Sequence, residues 1–191
     1  MLRHKGTQKL STERLILRKY ALSDAADIYH NYGADERVCR YLSWKPYENV
    51  AGIEVFLADS ITAYARKNAY HWAIENKGAI IGSISVTALD ESRLSCEIGY
   101  CLGQAFWNQG IATEALRTVL DFLFGQVGMH RIMAKHDVEN PASGKVMRNC
   151  RMIYEGRMRD YYLRHDDSFS DAMLFAALKS DWPQGRLSRK S

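Results

Sequence analysis

The part of this sequence best suited to chemistry is a loop between a predicted strand and a predicted helix. An apolar segment ends near Leu102, Gly103 and Gly110 follow, and a helical pattern begins at Ile111. The first amides of such a helix have no internal partners and lie at its positive end, so they suit a phosphate. A glycine at position 110 lets a ligand approach the backbone closely. The glycine spacing matches neither the P-loop nor the dinucleotide-binding motif, so a plain strand-to-helix turn stays an alternative.

The elements that must position this loop can be predicted from apolar periodicity and turn residues. The predicted order is β-α-α-β-β-β-α-β-α-β-β, with three successive strands between His71 and Leu102. Asn49 and the pair Asn140-Pro141 predict the starts of two helices. Hairpin strands followed by β-α-β-α indicate an α/β (α+β) fold, with a mixed, mainly antiparallel sheet of about seven strands flanked by about four helices.

Length and composition predict one globular domain. The chain has 191 residues, of which 47% are hydrophobic and 25% are charged. We expect a single domain over residues 1–182 and a basic, disordered tail over residues 183–191. Three of the 26 basic residues lie in that tail, and the remainder nearly balance the 22 acidic residues. This balance argues against a nucleic acid partner.

The cysteines and histidines indicate a cytoplasmic protein without a metal site. The four cysteines form no C-x-x-C pair, which predicts reduced thiols. No apolar segment typical of a signal peptide follows the N-terminus, and the richest apolar run, 79–86, is shorter than the roughly 20 residues that cross a bilayer. The six histidines show no spacing typical of metal ligands. We therefore expect no membrane partner and no metal.

Several motifs resemble those of the GCN5-related N-acetyltransferase (GNAT) superfamily. Trp107-Asn-Gln-Gly-Ile-Ala112, followed by Thr-Glu-Ala, is similar to its acetyl-CoA signature, as found in the RimJ/RimL-type ribosomal-protein N-terminal acetyltransferases. Further similarities follow in the family's order, at Thr12-Glu-Arg-Leu-Ile-Leu-Arg, Cys96-Glu-Ile-Gly-Tyr, Asn140-Pro-Ala-Ser143 and Asp181-Trp182. The resemblance covers most of the chain.

The sequence departs from this family pattern at three positions. Asn108 and Arg151 stand where the family commonly has glycine, and Phe175 stands where a tyrosine is frequent. None of these changes affects the phosphate loop itself. The changes at Arg151 and Phe175 bear on the thiol end of the cofactor or on the substrate pocket.

The resemblance implies acetyl-CoA as the co-substrate and a sheet that splays between its fourth and fifth strands. The pantetheine arm would lie between these strands, with an oxyanion-binding N–H near Tyr100, along the residues Ile98, Gly99, Tyr100, Cys101 and Leu102. The pyrophosphate would bind the amides of Gln109, Gly110, Ile111, Ala112 and Thr113. Asn140 and Ser143 would also contact the cofactor.

Acetyl transfer to an amine needs a base, N–H donors for the carbonyl oxygen and a proton donor for the departing sulfur. Glu97 is the candidate base, directly or through a water, because it lies in an otherwise apolar strand; a solvent-facing glutamate is an equal alternative. The resemblance makes Ser143 the proton donor, although Asn140 and Ser143 also fit ordinary helix capping. Trp44 and Tyr161, together with Glu97, are candidate substrate contacts, although most such aromatic side chains simply pack.

The resemblance therefore implies an N-acetyltransferase that acts on a primary amine, and on a protein N-terminal α-amine in particular. Two alternatives stay open: a small acceptor (a polyamine, an amino sugar or an antibiotic) and a non-catalytic acetyl-CoA sensor. A covalent role for Cys101 is disfavoured, because no neighbouring histidine activates it. A symmetric homodimer is the default expectation among homo-oligomers.

Overall fold

The computed structural model describes residues 1–183, and the predicted tail lies outside the described residues except for Pro183. Eight strands form one sheet in the order β1-β2-β3-β4-β5-β6-β8-β7. In chain order the strands are β1 (Leu10–Ser11), β2 (Leu15–Arg18), β3 (His71–Asn76), β4 (Ala79–Asp90), β5 (Ser95–Leu102), β6 (Arg131–Asp137), β7 (Ile153–Leu163) and β8 (Phe169–Leu178). The α-helices are α1 (Ala25–Ile28), α2 (Glu36–Cys39), α3 (Val50–Ala63), α4 (Ile111–Phe122) and α5 (Pro141–Asn149).

The predicted fold class and the mainly antiparallel sheet are confirmed. Two short elements were not predicted, the two-residue strand β1 and the four-residue helix α2. Elements of this length show too little periodicity to be predicted. The predicted helix caps are present, since the side chain of Asn49 accepts a hydrogen bond from the amide of Gly52 and Asn140 accepts one from Ser143.

The sheet splays between β5 and β6, which are the fourth and fifth of the seven predicted strands. They pair in parallel from Ser95–Arg131 to Glu97–Met133, and the pairing then stops although both strands continue. A parallel pair needs a crossover connection, and α4 supplies it here. The edge of β5 that faces β6 is therefore open along residues 98–102.

Each face of the sheet has its own core, and β5 contributes to both. The core on the α4–α5 face includes Ile98, Leu102 and the fully buried side chains of Trp72 and Phe122. The opposite face packs on α1 and α3, and Cys101 is part of that core. Burying a large apolar side chain contributes about 1.5–3 kcal/mol. Because strand side chains alternate, Glu97 and Cys101 share one face and Tyr100 lies on the other.

Candidate active site

The loop between β5 and α4 is held by contacts that require glycine. The amide of Gly103 donates to the carbonyl of Ile81 at 2.8 Å, and a Cβ at Gly103 would lie 2.4 Å from the carbonyl oxygen of Asn31. The indole of Trp107 donates to the carbonyl of Leu102 at 2.7 Å. Gly110 caps α4 in the left-handed region, with φ of 75°, which a side chain rarely adopts. The loop thus enters the helix in one defined conformation.

The amides at the start of α4 are free to bind an anion. The helical hydrogen bonds begin with the amide of Glu114, which donates to the carbonyl of Gly110 at 3.0 Å. Within residues 1–183, the amides of 109–113 donate to no protein acceptor. Gln109 and Gly110 are exposed, whereas Ile111 is anchored in the core. Free amides at the positive end of a helix fit a pyrophosphate.

Arg14 lies beside this loop, at a position whose sequence motif predicts no role in the site. Its guanidinium donates to the carbonyl of Gln109 at 3.0 Å and to the carboxylate of Glu114 at 2.7 Å. Burial alone would raise the pKa of Glu114, but hydrogen bonds from Thr12 and Arg14 outweigh burial and lower it. The sequence signal that could have indicated Arg14 was the motif Thr12-Glu-Arg14. By itself, this motif indicates only the start of a strand. The arginine thus links the loop, at Gln109, to the first turn of α4, at Glu114.

A pair of hydroxyl groups connects α5 to β5. Ser143 Oγ lies 2.8 Å from the hydroxyl of Tyr100, which also lies 3.0 Å from the Ser143 carbonyl oxygen. Burial raises the pKa of Tyr100, so its hydroxyl stays protonated. Asn140 Oδ1 accepts from the Ser143 amide at 3.2 Å, so the capping interaction is present as well. The structure thus brings Ser143 to the strand expected to bind the pantetheine arm.

Glu97 is partly buried and paired with a lysine. Its Oε2 lies 2.7 Å from the ammonium of Lys135, and the two side chains are 23% and 11% exposed. Lys135 also donates to the hydroxyl of Tyr161, and its Nζ lies 4.1 Å from the centre of that ring. Two of the predicted substrate contacts, Glu97 and Tyr161, are therefore brought together by a third residue that the sequence analysis missed.

The alternation of side chains along β6 could have predicted the face on which Lys135 lies. Ile132 and Ala134 are buried on one face of β6, so Lys135 must lie on the other. Burial alone would lower the pKa of Lys135, but hydrogen bonds to Glu97 and Tyr161 outweigh burial and raise it. Lys135 is thus held in its charged form beside the candidate base.

A bulge in β7 directs Tyr161 onto this ion pair. Residues 159–161 lie opposite the single residue Asp171, because the register shifts between Met158 and Tyr162. Asp171 anchors the bulge by accepting a hydrogen bond from the Asp160 amide at 2.8 Å. Bulges of this kind commonly redirect a side chain next to an active site.

Other candidates lie apart from this cluster. The ring of Trp44 packs against Tyr47, 5.5 Å away, on the α1–α3 side, and no described contact joins it to Glu97 or Tyr161. Cys101 Sγ lies 3.1 Å from the hydroxyl of Ser83, and burial raises the pKa of this thiol to about 11. A thiol with such a pKa is a poor nucleophile.

Two of the three departures from the family pattern are accommodated by unusual backbone conformations. Asn108 and Arg151 both adopt positive φ, of 59° and 61°, so the chain keeps the conformation for which glycine is usual. Phe175 is 2% exposed, and its ring lies 5.6 Å from that of His136. The phenylalanine that stands in place of the family's frequent tyrosine therefore lies within the core.

Neither a metal centre nor a membrane span is found in the described part of the chain. Among residues 1–183, no group of three or more His, Cys, Asp or Glu side chains could hold a metal ion. No helix in the same range is both long and apolar enough to cross a bilayer.

A splayed sheet with a free helix N-terminus beside the gap is the architecture expected for a CoA-dependent acyltransferase. Residues 14–153 match the family described as "Acetyltransferase (GNAT) domain". The chain belongs to this GNAT family, as the motifs implied, and it is an acetyl-CoA-dependent N-acetyltransferase. Acetyl-CoA supplies the activated acetyl group as a thioester.

The chain is similar to bacterial N-acetyltransferases along nearly its whole length. It is 29% identical over 177 residues to the uncharacterized N-acetyltransferase p20 of Bacillus licheniformis, covering 92% of this chain and 98% of that protein. It is 25% identical over 186 residues to the [ribosomal protein uS5]-alanine N-acetyltransferase of Escherichia coli (strain K12), covering 93% and 94%. The solved structure of RimL, the ribosomal L7/L12 α-N-protein acetyltransferase, in complex with coenzyme A shares the fold. The comparison of the two structures has a TM-score of 0.83 and a sequence identity of 21%. It covers 92% of this chain and 100% of the RimL chain.

Proposed function

We propose that this enzyme acetylates the N-terminal α-amine of a protein. The similarity to the uS5-alanine N-acetyltransferase supports this substrate class, because it extends over 93% of this chain and 94% of that enzyme. Acetylation of a ribosomal protein would take place in the cytoplasm, which agrees with the four free thiols of the described chain.

The observation that carries the proposal is the exposure of apolar side chains along the β7–β8 hairpin, starting from Tyr161 at the Glu97–Lys135 pair. Tyr161, over the Glu97–Lys135 pair, is 42% exposed, and Leu163 and Phe169 at the end of the same β7–β8 hairpin are each 63% exposed. A closed pocket for a small amine would cover such side chains. An extended peptide can lie against these exposed side chains and present its first residue to Glu97.

We assign the proposed roles according to where the side chains lie on β5, with Glu97 on one face of the sheet and Tyr100, next to Ser143, on the other. Glu97 would take a proton from the acceptor nitrogen, directly or through a water, as that nitrogen attacks the thioester carbonyl. The backbone N–H groups on the open edge of β5 would stabilise the charge on the carbonyl oxygen. Ser143, held against Tyr100, would donate its hydroxyl proton to the departing sulfur. The amides of 109–113, with Arg14 beside them, would hold the pyrophosphate.

The test is an acceptor panel with purified protein and acetyl-CoA. The panel contains peptides with a free N-terminal alanine or serine, the same peptides with blocked N-termini, spermidine and an amino sugar. We expect thiol release only with free N-termini, with the acetyl group located on the α-nitrogen by fragmentation mass spectrometry. Turnover confined to spermidine or the amino sugar would overturn the proposal and favour a small-molecule acceptor.

A further inference from the structure

The ion pair between Lys135 and Glu97 involves the carboxylate that we propose as the base. The Lys135 ammonium lies 2.7 Å from the Glu97 carboxylate, its side chain is 11% exposed, and the ring of Tyr161 covers it. A carboxylate with an aromatic face is a good binding site for an ammonium ion. The protein has filled this site with an ammonium of its own.

Among the charged groups around Lys135, Glu97 is the carboxylate that its ammonium neutralises. The titratable groups near the pair are Glu97 on β5, Asp137 on the same strand as Lys135, and Tyr161 and Tyr162 on β7. Asp137 is already bound by Arg164 at 2.9 Å. Lys135 therefore has one carboxylate partner among the described residues, and the pair is close to neutral overall.

Stability alone does not account for the pair. Partly buried ion pairs contribute little compared with apolar side chains of similar size, because the charges lose their hydration. The β7 bulge, anchored by Asp171, is a further irregularity that holds Tyr161 over Lys135. This combination indicates a role in the reaction.

We infer that Lys135 is a specificity-determining residue, which neutralises Glu97 and so selects N-terminal α-amines over side-chain amines and polyamines. The inference rests on the proposed function and on Glu97 as the base. An unpaired carboxylate attracts amines that arrive as ammonium ions and can deprotonate them in place. When the carboxylate is already paired, the positive charge of Lys135 repels an arriving ammonium ion. Acceptors therefore enter mainly as neutral amines.

The two amine classes differ strongly in their neutral fraction. At pH 7 an α-amine, with a pKa of about 8, is neutral in about one molecule in ten. An ε-amine, with a pKa of about 10.4, is neutral in about one in 2,500. A site that admits neutral amines therefore favours α-amines by about 250-fold.

The experiment compares two matched peptides as acceptors at pH 7. One has a free N-terminus and no lysine, and the other has a blocked N-terminus and one lysine. We expect Lys135→Met to reduce the ratio of kcat/KM values, α-amine over ε-amine, by at least about tenfold. The change should come mainly from a lower KM for the lysine peptide, which a merely structural defect would not produce.

Two variants separate charge from other effects. Lys135→Arg keeps the positive charge beside Glu97 and should keep the selectivity of the natural protein. Lys9→Met removes the same charge from an exposed position and should also leave the ratio unchanged. If Lys135→Met fails to fold, Lys135→Gln keeps a hydrogen-bond donor toward Glu97 without the charge and carries the same expectation.

The outcomes distinguish the inference from the proposed function. If the natural protein does not acetylate the free α-amine, the proposed function fails. If it does, and the folded uncharged variant keeps the ratio within about twofold, the selectivity is not due to Lys135 and the inference is overturned.

Discussion

At the scale of single residues, the site depends on side chains whose partners decide what they can do. Glu97 lies in an apolar strand, yet it is paired with Lys135 and is neither isolated nor freely solvated. Cys101 lies four residues further along the same strand, and burial makes it an inert thiol. The same segment therefore provides one candidate for proton transfer and one residue that only packs.

Replacing the candidate base tests its role directly. We expect Glu97→Gln to lower kcat by about 10²-fold or more, because the amide cannot accept the acceptor's proton. Its oxygen still accepts a hydrogen bond from Lys135, so folding and acetyl-CoA binding should persist. The measurements are steady-state thiol release and calorimetric binding of acetyl-CoA. The control is Glu54→Gln, at an exposed position of α3, which should leave kcat unchanged. An unchanged kcat for Glu97→Gln would argue against the role of Glu97 as base.

The left-handed position after α5 provides a stability prediction. Arg151 is exposed and has φ of 61°, a conformation that costs most residues about 1 kcal/mol. Arg151→Gly should raise the free energy of unfolding by about 0.5 kcal/mol, because part of the relieved strain is offset by greater freedom of the unfolded chain. Urea denaturation measures this. Lys145→Gly, inside α5, should instead lower the free energy of unfolding by about 1 kcal/mol, and a loss of stability at both positions would contradict the argument.

At the scale of elements, the starts of α4 and α5 and the open edge of β5 form the side of the site that we propose binds the cofactor. Both helix starts are built by local sequence, Gly110 at one and Asn140-Pro141 at the other. The contact between Tyr100 and Ser143 then places α5 against β5. Capping and the proposed catalytic role therefore belong to different side chains of the same turn, and they can be separated by mutation.

The two roles at the start of α5 should respond differently. Asn140→Ala removes the cap and should lower the free energy of unfolding by about 1 kcal/mol. Ser143→Ala leaves the cap in place and should lower kcat by at least about tenfold, because a proton donor to sulfur is lost. Chemical denaturation and thiol release measure the two effects. Ser180→Ala, outside the site, is the control, and full activity of Ser143→Ala would leave Tyr100 as the remaining hydroxyl donor.

At the scale of the whole molecule, two cores on opposite faces hold a sheet that is open in the middle. On one side of this opening, an ion pair joins the end of β6 to the residue that follows β7. Asp137 at the end of β6 is 3% exposed and is bound by Arg164, which follows β7, at 2.9 Å. Burial alone would raise the pKa of Asp137, but hydrogen bonds from Arg164 outweigh burial and lower it.

This ion pair makes stability depend on pH with a definite sign. Because the pKa of Asp137 is lowered in the folded state, its contribution is present above the unfolded-state pKa of about 3.9 and is lost as pH falls through the lower folded-state pKa. We expect Arg164→Met to cost about 2 kcal/mol at pH 7, and less as Asp137 becomes protonated. Denaturation curves at pH 7 and in acid measure this. Arg37→Met, which breaks an exposed local pair, is the control, and a difference that grows in acid would contradict the prediction.

Binding of acetyl-CoA should stabilise the whole fold. A ligand at 1,000 times its Kd adds about 4 kcal/mol to the free energy of unfolding. Gly110→Glu places a side chain and a negative charge among the free amides, so it should abolish the shift in melting temperature that acetyl-CoA produces. Glu13→Gln, at an exposed position before β2, should keep the shift. An undiminished shift in Gly110→Glu would show that the pyrophosphate binds elsewhere.

The amino-acid sequence by itself determined the class of fold, the conformation of the loop proposed to bind the cofactor, and the order of motifs. Gly110 and Asn140 act through local backbone conformation, and apolar periodicity reports which residues form strands and helices. Such features depend on neighbours within a few residues. The family resemblance has the same basis, because each of its motifs is a short run of neighbouring residues.

Only the tertiary structure decided which side chains meet. Lys135 contacts Tyr161 across 26 residues, Arg14 contacts Glu114 across 100 and Tyr100 contacts Ser143 across 43. These meetings depend on strand register, on the bulge in β7 and on where the pairing of β5 with β6 stops. Register and bulges are set by the packing of the complete sheet, and a shift of one residue would turn Lys135 to the opposite face. No local pattern contains that information.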